Sequence, residues 1–411
     1  MEILNKDTIK PYLIEKHIFP ADASLTVIDL HEAAENIEGY VNLIFKVTDD
    51  ASGHSVVVKH ILPYMRAALE WGEVRPMLME RLRTEITVLT FMGTLYPGIT
   101  PEIFLFDETA GVIVMEDLSH LELLRFEMTA GKTFPGVGKT IGAFLAKLFF
   151  YTSDLLMSDK KYIDVKHFFY NEESKRLQDL LFTDNMLTNP DKALEPSARE
   201  TQKRILANPL IKKTLADMEQ VYLNKNECLI HNDLHSANVM VGGGKIKIID
   251  TEFSGYGPKA VDMGRFTGSL IINYLSWNWY TEAPKEKRMA MQAHCLELIA
   301  EVFESYAKTL RALWQEHRDH SYLLMLIDCE SVLKDTFHDT LRYAAISTIT
   351  RVSSDAAQTC DIRRIKGSEA LGALQSRAMD MAEYLLVCTE TITSLDEFLE
   401  FLRCCAGIER Q

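Results

Sequence analysis

The chain has 411 residues, which is enough for two domains or for one large domain with a substantial core. Hydrophobic residues make up 47% and charged residues 25%, as is ordinary for a globular protein, and the formal net charge is −15. Because the balance is acidic and no local basic patch stands out, the sequence argues against a nucleic-acid partner. No apolar run reaches about 18 residues, so no membrane span is expected.

Seven cysteines are scattered along the chain, and none of them forms a C-x-x-C pair. This pattern is typical of free thiols in a reducing compartment rather than of a disulfide scaffold or a zinc site. The N-terminus lacks a basic flank followed by an apolar core, so no signal peptide is expected. These features together predict a protein of a reducing compartment.

The first part of the chain mixes strand and helix patterns. Four apolar runs bounded by turn signals predict two antiparallel strand pairs, and apolar residues at helical spacing between the pairs predict a helix. The elements in order are strands at 40–48 and 55–60, a helix at 73–93, and strands at 101–107 and 111–115.

Beyond residue 138 the pattern is mostly helical, apart from a small β segment around 228–250. Helices are predicted at 138–157, 199–223, 260–276, 287–317, 321–349 and 366–389. Two strand pairs and a helix, followed by a helical body, indicate an α+β fold with two lobes. The lobe boundary is expected just after residue 115.

Within residues 228–250, acidic and amide side chains stand among short apolar strands. His231, Asp233 and Asn238 have the spacing H-x-D-x-x-x-x-N, and a strand further on ends in Asp250. This is the spacing of a phosphoryl-transfer catalytic loop followed by a metal-binding strand. Asp233 is the candidate catalytic base, because a carboxylate can orient a hydroxyl group and take its proton.

Asn238 and Asp250 are the candidate metal ligands. Mg²⁺ prefers hard oxygen ligands and completes its shell with water and phosphate oxygens. Glu252 could add a second carboxylate on the same face if the chain stays extended after Asp250. A solvated loop acid is the alternative for Glu252, and the residues themselves leave both open.

Lys59 ends a valine-rich strand and is the candidate for binding nucleotide phosphates, with a solvated strand-end lysine as the alternative. Glu85, in the following helix, is the expected partner that orients Lys59, and Glu80 is its rival. The segment around Gly39 and Asn42 precedes the first strand pair. It could be a reduced phosphate-covering loop, although it lacks the G-x-G-x-x-G pattern.

Residues 136–140 (Gly-Val-Gly-Lys-Thr) look like the end of a P-loop. The first glycine of that motif is missing, since Thr133 stands in its place, and no apolar strand leads into the segment. We interpret it as a helix N-terminus and expect no nucleotide there.

His235 stands close to His231, but no third histidine or cysteine supports a metal site, so a structural role in the catalytic loop is expected. Arg363 and Arg364 are adjacent. They could be a solvated pair at a helix start, or they could supply the cations that stabilise transition-state charge.

Together these motifs resemble the 5-methylthioribose kinases, within the aminoglycoside/choline kinase-like branch of the protein-kinase-like fold. The resemblance runs from about residue 39 to residue 367. The segments that carry it are the strand ending at Lys59, Leu62-Pro-Tyr-Met-Arg66, Met115-Glu-Asp-Leu-Ser119, Arg125, Tyr151-Thr-Ser-Asp154, His231-Asn-Asp-Leu-His235, Asp250-Thr-Glu252, Tyr256-Gly-Pro258, Asp262-Met-Gly264 and Arg363-Arg-Ile365.

The resemblance implies a bilobal α+β protein, with a nucleotide-binding lobe at 1–116 and a catalytic, substrate-binding lobe at 117–411. It also implies an enzyme that uses ATP and Mg²⁺ to phosphorylate the anomeric hydroxyl of 5-methylthioribose. The product would be the 1-phosphate, a step in methionine salvage. The family works as a cytoplasmic homodimer.

Residue roles follow from the same resemblance. Asp233 would activate the hydroxyl group, and the carboxylates of Asp250 and Glu252 would hold Mg²⁺. Lys59 would bind the nucleotide phosphates. The backbone of Glu116 and Leu118 would contact adenine. Arg363 and Arg364 would lie near the substrate hydroxyls and the transferred phosphoryl group.

Three departures from the family pattern concern the substrate more than phosphoryl transfer. In the catalytic loop, Asn232 replaces a glycine and Asn238 replaces a serine. Arg75-Pro76 stands where a Trp-Pro pair is usual, and the segment after Arg364 lacks a usual histidine. Two alternatives therefore stay open: a kinase of the same branch acting on another sugar, an amino alcohol or an aminoglycoside, and a nucleotide-binding pseudokinase.

Overall fold

The computed structural model describes residues 3–33, 41–70, 72, 74–157, 159–176, 179–192, 194–353 and 359–405. The candidate residue Gly39 lies outside the described residues. The chain forms two compact units. The first comprises Met1–Glu122 and Met240–Phe253, and the second comprises Leu123–Val239 and Ser254–Gln411.

An antiparallel sheet is the centre of the first unit. Its strands are β1 (Leu25–Asp29), β2 (Leu43–Asp49), β3 (Ser55–His60), β4 (Ile103–Asp107) and β5 (Val112–Glu116). They pair in the order β1-β2-β3-β5-β4. The helices of this unit are α1 (Ile9–Glu15), α2 (Leu30–Ala33), α3 (Arg66–Glu70) and α4 (Glu80–Leu95). Both predicted strand pairs are thus present, whereas β1, α1, α2 and α3 were not predicted.

The alternation of side chains along β3 decides which of them face α4. Val56 and Val58 belong to an apolar cluster that includes Ile9 and Leu13 of α1. Residues of opposite parity point to the other face of the sheet, where Val57 packs in a second cluster with residues of α4. Lys59 has the parity of Val57, so the strand pattern turns its side chain toward α4.

The predicted helix over 73–93 was wrong at its N-terminal end, because α4 begins only at Glu80. Pro76 explains the difference, since proline lacks an N–H group and keeps the preceding residue out of the helical region. In the structure, Tyr64 and Pro76 form an isolated antiparallel bridge instead.

The second unit is mostly helical. Its helices are α5 (Leu124–Thr129), α6 (Val137–Thr152), α7 (Asp159–Phe168), α8 (Glu172–Arg176), α9 (Arg199–Leu206), α10 (Pro209–Asn224), α11 (Val261–Trp279), α12 (Lys285–His317), α13 (Tyr322–Leu326), α14 (Cys329–Ile349), α15 (Cys360–Arg363), α16 (Ser368–Val387) and α17 (Leu395–Cys405).

Two predicted helices are each divided in the structure. The prediction over 199–223 is replaced by α9 and α10, because Pro209 cannot continue a helix and Asn208 caps α10 through a bond from Leu210 N–H. The prediction over 321–349 is replaced by α13 and α14. Asp328 begins the second of these as its N-cap, accepting from Ser331 N–H at 2.9 Å.

Glycines in α6 allow it to pack closely on α12. A Cβ atom at Gly138 would lie 2.2 Å from the Leu298 carbonyl oxygen, and one at Gly142 would lie 2.3 Å from the Val302 carbonyl oxygen. Residues 136–140 therefore form a helix N-terminus, as predicted, and Gly138 serves helix packing.

Short strands surround the motif segment. They are β6 (Glu122–Leu123), β7 (Cys228–Ile230), β8 (Val239–Gly242), β9 (Lys245–Ile248) and β10 (Gly255–Gly257). β7 pairs with β10, and β8 is a neighbour of β9. The strands predicted around 228–250 are confirmed. Among the described residues, none of the helices combines the length and apolar character needed to span a bilayer.

Candidate active site

In the first unit, Lys59 is held between two carboxylates. Its Nζ atom lies 2.7 Å from Glu85 Oε1 and also donates to Asp250 Oδ1. Glu85, rather than Glu80, is therefore the helix residue that orients the lysine. Thr251 adds a bond from its hydroxyl to the Glu85 carbonyl oxygen at 3.1 Å, which ties the segment after β9 to α4.

Electrostatics keep Lys59 charged although its side chain is buried. Burial alone would lower the pKa of the lysine, but the charges of Asp250, Glu85 and Glu252 outweigh burial and hold the pKa above its ordinary value. Burial raises the pKa of the Glu85 carboxyl, and the charge of Lys59 opposes that rise. The result is a fixed cation of the kind that pairs with nucleotide phosphates.

Glu252 is buried, at 1% exposure, and forms a compact network with Asn42 and Arg81. Arg81 donates to Glu252 Oε2, and Asn42 Nδ2 lies 3.1 Å from each Glu252 carboxylate oxygen. Asn42 Oδ1 in turn accepts from Arg81 Nη1 at 2.7 Å. The alternative of a solvated loop acid at Glu252 is wrong, because the carboxylate is fully engaged inside the unit.

Asp250 differs from Glu252 in exposure and backbone. Its side chain is 34% exposed, and its φ is +66°, in the left-handed region that residues other than glycine seldom adopt. Such an accessible carboxylate fits a hard cation that takes other ligands from phosphate and water. To bind the same cation, Glu252 would have to give up a hydrogen bond from Arg81 or Asn42.

In the second unit, the loop between β7 and β8 is fixed by a carboxylate from α11. Asp262 accepts from His231 N–H and from Asn232 N–H, each at 2.7 Å. Two adjacent backbone donors on one buried carboxylate hold the turn that precedes Asp233.

Asn232 occupies the left-handed region, with φ +68°. Its side chain compensates through bonds to buried neighbours: Tyr222 Oη donates to Asn232 Oδ1 at 2.9 Å, and Asn232 Nδ2 donates to the Ser174 carbonyl oxygen at 2.8 Å. The positive φ explains why the family has glycine at this position, since glycine adopts this region readily. Asparagine can replace it because it is among the few other residues that tolerate the region.

Asp233, the candidate base, has a different neighbour at each carboxylate oxygen. Arg265 of α11 donates to Oδ1, and His235 Nε2 lies 3.6 Å from Oδ2. Burial would raise the pKa of Asp233, but Arg265 and His235 outweigh it and hold the pKa well below its usual range. Burial lowers the pKa of His235 to about 4, so the ring is neutral near pH 7.

Asn238 closes a short 3₁₀ turn at the end of the same loop. Its Nδ2 donates to the Asp233 carbonyl oxygen at 2.9 Å, and its N–H donates to the His235 carbonyl oxygen at 2.8 Å. The amide oxygen of Asn238 is therefore the atom available to a cation.

The two adjacent arginines have different surroundings. Arg363 is exposed. The Arg364 guanidinium lies 3.9 Å from the Trp277 ring centroid and 4.5 Å from that of Tyr280, and its Nη2 donates to Ser276 Oγ at 2.7 Å. Burial lowers the pKa of Arg364. Arg364 is thus packed in place, whereas Arg363 faces solvent.

Glu116 is the last residue of β5, and Leu118 follows two residues later. Glu116 N–H donates to the Glu102 carbonyl oxygen at 2.8 Å, and the Leu118 carbonyl oxygen accepts from Leu121 N–H at 2.8 Å. The Glu116 carboxylate accepts from Lys247 Nζ at 3.0 Å. Adenine binding at these backbone groups stays a prediction.

Three residues that organise the site, Arg81, Asp262 and Arg265, were not assigned a role from sequence. Arg81 lies one turn before Glu85 on α4, and Asp262 and Arg265 lie three residues apart on α11. Helical spacing could have indicated that each shares a face with a neighbour of the site. It could not indicate their partners, which are distant in sequence. Among the described residues, no cluster of three or more His, Cys, Asp or Glu side chains is arranged to hold a metal.

The model of the family described as "Phosphotransferase enzyme family" matches residues 33–306. This is more than half of the chain, and the protein belongs to that family. It is an ATP-dependent small-molecule kinase that transfers phosphate to a hydroxyl group. The predicted fold class, with a β-rich unit and a mostly helical unit of the protein-kinase-like type, is confirmed.

The relatives narrow the class. The methylthioribose kinase of Geobacillus sp. (strain WCH70) is 30% identical over 361 residues, which cover 88% of this chain and 87% of that protein. That of Yersinia enterocolitica serotype O:8 / biotype 1B is 29% identical over 367 residues, covering 89% and 90%. The choline kinase structure from Cryptosporidium parvum Iowa II has a TM-score of 0.46 and 13% identity, covering 96% of this chain and 100% of that one. The resemblance to methylthioribose kinases is confirmed.

Proposed function

We propose that this protein phosphorylates the anomeric hydroxyl of 5-methylthioribose with Mg-ATP and so makes 5-methylthioribose 1-phosphate for methionine salvage. The substrate is taken from the two relatives, whose similarity extends along about nine tenths of the chain. The single observation that carries the proposal is the carboxylate of Asp233, held by Arg265 in a catalytic loop of kinase spacing.

The first unit supplies the groups for the nucleotide. Lys59 pairs with its phosphates, and Asp250 binds Mg²⁺, which neutralises phosphate charge. Glu252 is a further proposed Mg²⁺ ligand, after exchange of one of its present bonds. Asn42 is proposed to border the phosphates, and the backbone of Glu116 and Leu118 to hold adenine; the Leu118 N–H has no acceptor among the described backbone bonds.

The second unit supplies the groups for the acceptor. Asp233 accepts the proton of the sugar hydroxyl as the new O–P bond forms, while the bond from the γ-phosphorus to the bridging oxygen breaks and ADP leaves with that oxygen. Asn238 contributes its amide oxygen to the cation. Arg363 and Arg364 are proposed to lie near the substrate hydroxyls and the transferred group, where cations stabilise developing charge.

The test is ADP release with Mg-ATP and a panel of acceptors: 5-methylthioribose, ribose, 5-deoxyribose, choline and an aminoglycoside. We expect kcat/KM for 5-methylthioribose to exceed that for every other acceptor by at least about 100-fold, because a pocket that fits the methylthio group adds binding that the others lack. A higher value for another acceptor would move the substrate and leave the kinase class unchanged.

We also propose that the protein is a cytoplasmic homodimer. A cluster of exposed apolar side chains supports the dimer: Tyr322, Met325 and Leu326 of α13 are 70%, 51% and 63% exposed. Exposed residues of both signs, Arg318 and Asp319, lie just before this helix. A surface that carries both signs can pair with its own copy across a two-fold axis.

A further inference from the structure

The helix α11 reaches the catalytic loop at two points. Asp262 holds the loop backbone through the N–H groups of His231 and Asn232. Arg265, three residues later on the same face, holds the side chain of Asp233. Backbone and carboxylate of the loop are thus set by one rigid element.

The Arg265 guanidinium is enclosed around this single bond. The residue is 4% exposed, and its Nη2 donates to Asp233 Oδ1. Its Nε and Nη1 are buried without a hydrogen-bond partner in the described part of the chain. A buried guanidinium with two unpaired nitrogens is costly. Asp233, which accepts its hydrogen bond, offsets this cost together with the nearby charge of Asp262.

Helix packing keeps Arg265 from swinging away. A Cβ atom at the preceding Gly264 would lie 2.3 Å from Tyr343 Cβ of α14, so the two helices are in close contact beside the arginine. Ser347 Oγ, also on α14, donates to the Arg265 carbonyl oxygen at 3.4 Å. The guanidinium is therefore presented to Asp233 from a fixed position.

We propose that Arg265 is a positioning residue for phosphoryl transfer: by occupying Oδ1 of Asp233 it fixes the carboxylate rotamer and leaves Oδ2, which His235 Nε2 approaches only to 3.6 Å, to the acceptor hydroxyl. The proposal rests on the proposed role of Asp233 as base. Arg265 acts through that carboxylate and does not touch the reacting atoms, because its remaining nitrogens are enclosed. Asp233 in turn is the counter-ion that the buried arginine requires.

Kinetics with Arg265→Met and Arg265→Lys test the positioning role. We expect Arg265→Met to lower kcat by roughly 10- to 100-fold, the range in which a mispositioned general base costs rate, with KM for ATP unchanged. Arg265→Lys should recover part of the loss, since it restores a cation beside the carboxylate. Arg311→Met is the matched control, because Arg311 makes a two-point ion pair with Glu330 in which both side chains are exposed.

A urea-unfolding cycle tests the pairing without any substrate. Asp233→Asn and Arg265→Met should each lower the free energy of unfolding. The double variant should lose much less than the sum of the two single losses, because it no longer contains an unpaired buried charge. If Arg265→Met does not fold, Arg265→Lys still gives the kinetic comparison, and Asp233→Asn still gives one of the single losses in the unfolding cycle.

Two results would overturn the proposal. One is a kcat in Arg265→Met within about twofold of the wild type, and the other is strictly additive losses in the cycle. Failure of the proposed function is distinguishable, because it shows in the wild-type acceptor panel. The kinetic comparison then uses whichever acceptor the wild type phosphorylates, and the unfolding cycle is unaffected.

Discussion

Asn232 combines a left-handed backbone with a buried, fully bonded side chain directly before the candidate base. The bonds from Tyr222 and to Ser174 hold the amide, and the amide holds the turn. This arrangement explains how the chain dispenses with glycine at a position of positive φ. The loop gains side-chain contacts that glycine could not make.

Two substitutions at Asn232 separate the contribution of its side-chain hydrogen bonds from that of its tolerance of positive φ. We expect Asn232→Ala to lower the free energy of unfolding by about 2–3 kcal/mol, because alanine both lacks the bonds and resists positive φ. Asn232→Gly should lose only the bonds and cost about 1 kcal/mol. Urea unfolding measures both. A smaller loss for alanine than for glycine would contradict this explanation.

At the residue scale, the sequence predicts site residues wherever the cause is local. Lys59 follows from the alternation along β3, and Asp233 and Asn238 follow from spacing within one loop. The network of Arg81 with Glu252 joins residues that are 171 positions apart. No local pattern encodes such a pair, because it depends on how the segment after β9 folds against α4.

Among the secondary-structure elements, α6 packs closely on α12 because glycines of α6 face the α12 backbone. Gly138 and Gly142 lie one turn apart and face the α12 backbone. We expect Gly138→Ala to lower the free energy of unfolding by about 1–3 kcal/mol, although alanine is the better helix former, because its Cβ would overlap the Leu298 carbonyl oxygen.

Lys139→Ala is the control for that change, since Lys139 is exposed on the same turn. Its effect on urea unfolding should stay within about 0.5 kcal/mol. Stabilisation by Gly138→Ala would show that α6 and α12 are further apart than the structure has them.

Periodicity predicted the long helices and the paired strands but not the shorter helices, and the errors at the predicted bounds have identifiable causes. Pro76 delays α4, and Pro209 divides a predicted helix, so both follow from the proline's missing N–H group. The division between α13 and α14 depends on a cap at Asp328 inside an apolar run. Apolar periodicity continues through that cap and therefore conceals it.

At the scale of the whole molecule, residues 240–253 belong to the first unit although they follow the catalytic loop in sequence. The sequence predicts a division at a single point near residue 116, and that division stays a prediction. The return of the chain to the first unit at residues 240–253 depends on tertiary contacts such as the bond from Lys59 to Asp250. Composition and periodicity do not encode such contacts.

The proposed dimer is expected to depend on the exposed apolar side chains of α13. We expect the wild type to sediment as a dimer at micromolar concentration and Leu326→Glu to sediment as a monomer, because a buried, unpaired carboxylate opposes association. Ile163→Glu is the control, since Ile163 is 52% exposed on α7, away from α13 in sequence. A monomeric wild type, or a Leu326→Glu variant that remains a dimer, would contradict the assignment of α13 to the interface.

The proposed reaction is phosphoryl transfer from ATP to the anomeric hydroxyl of 5-methylthioribose with Asp233 as base. Phosphorus NMR of the wild type with Mg-ATP and this sugar, with Asp233→Asn as the comparison, shows which hydroxyl receives the phosphate. We expect a sugar 1-phosphate signal that grows in step with ADP for the wild type. We also expect Asp233→Asn to bind ATP but to form no ester. An ester at another hydroxyl, no ester from a folded wild type that binds ATP, or wild-type turnover by Asp233→Asn would contradict it.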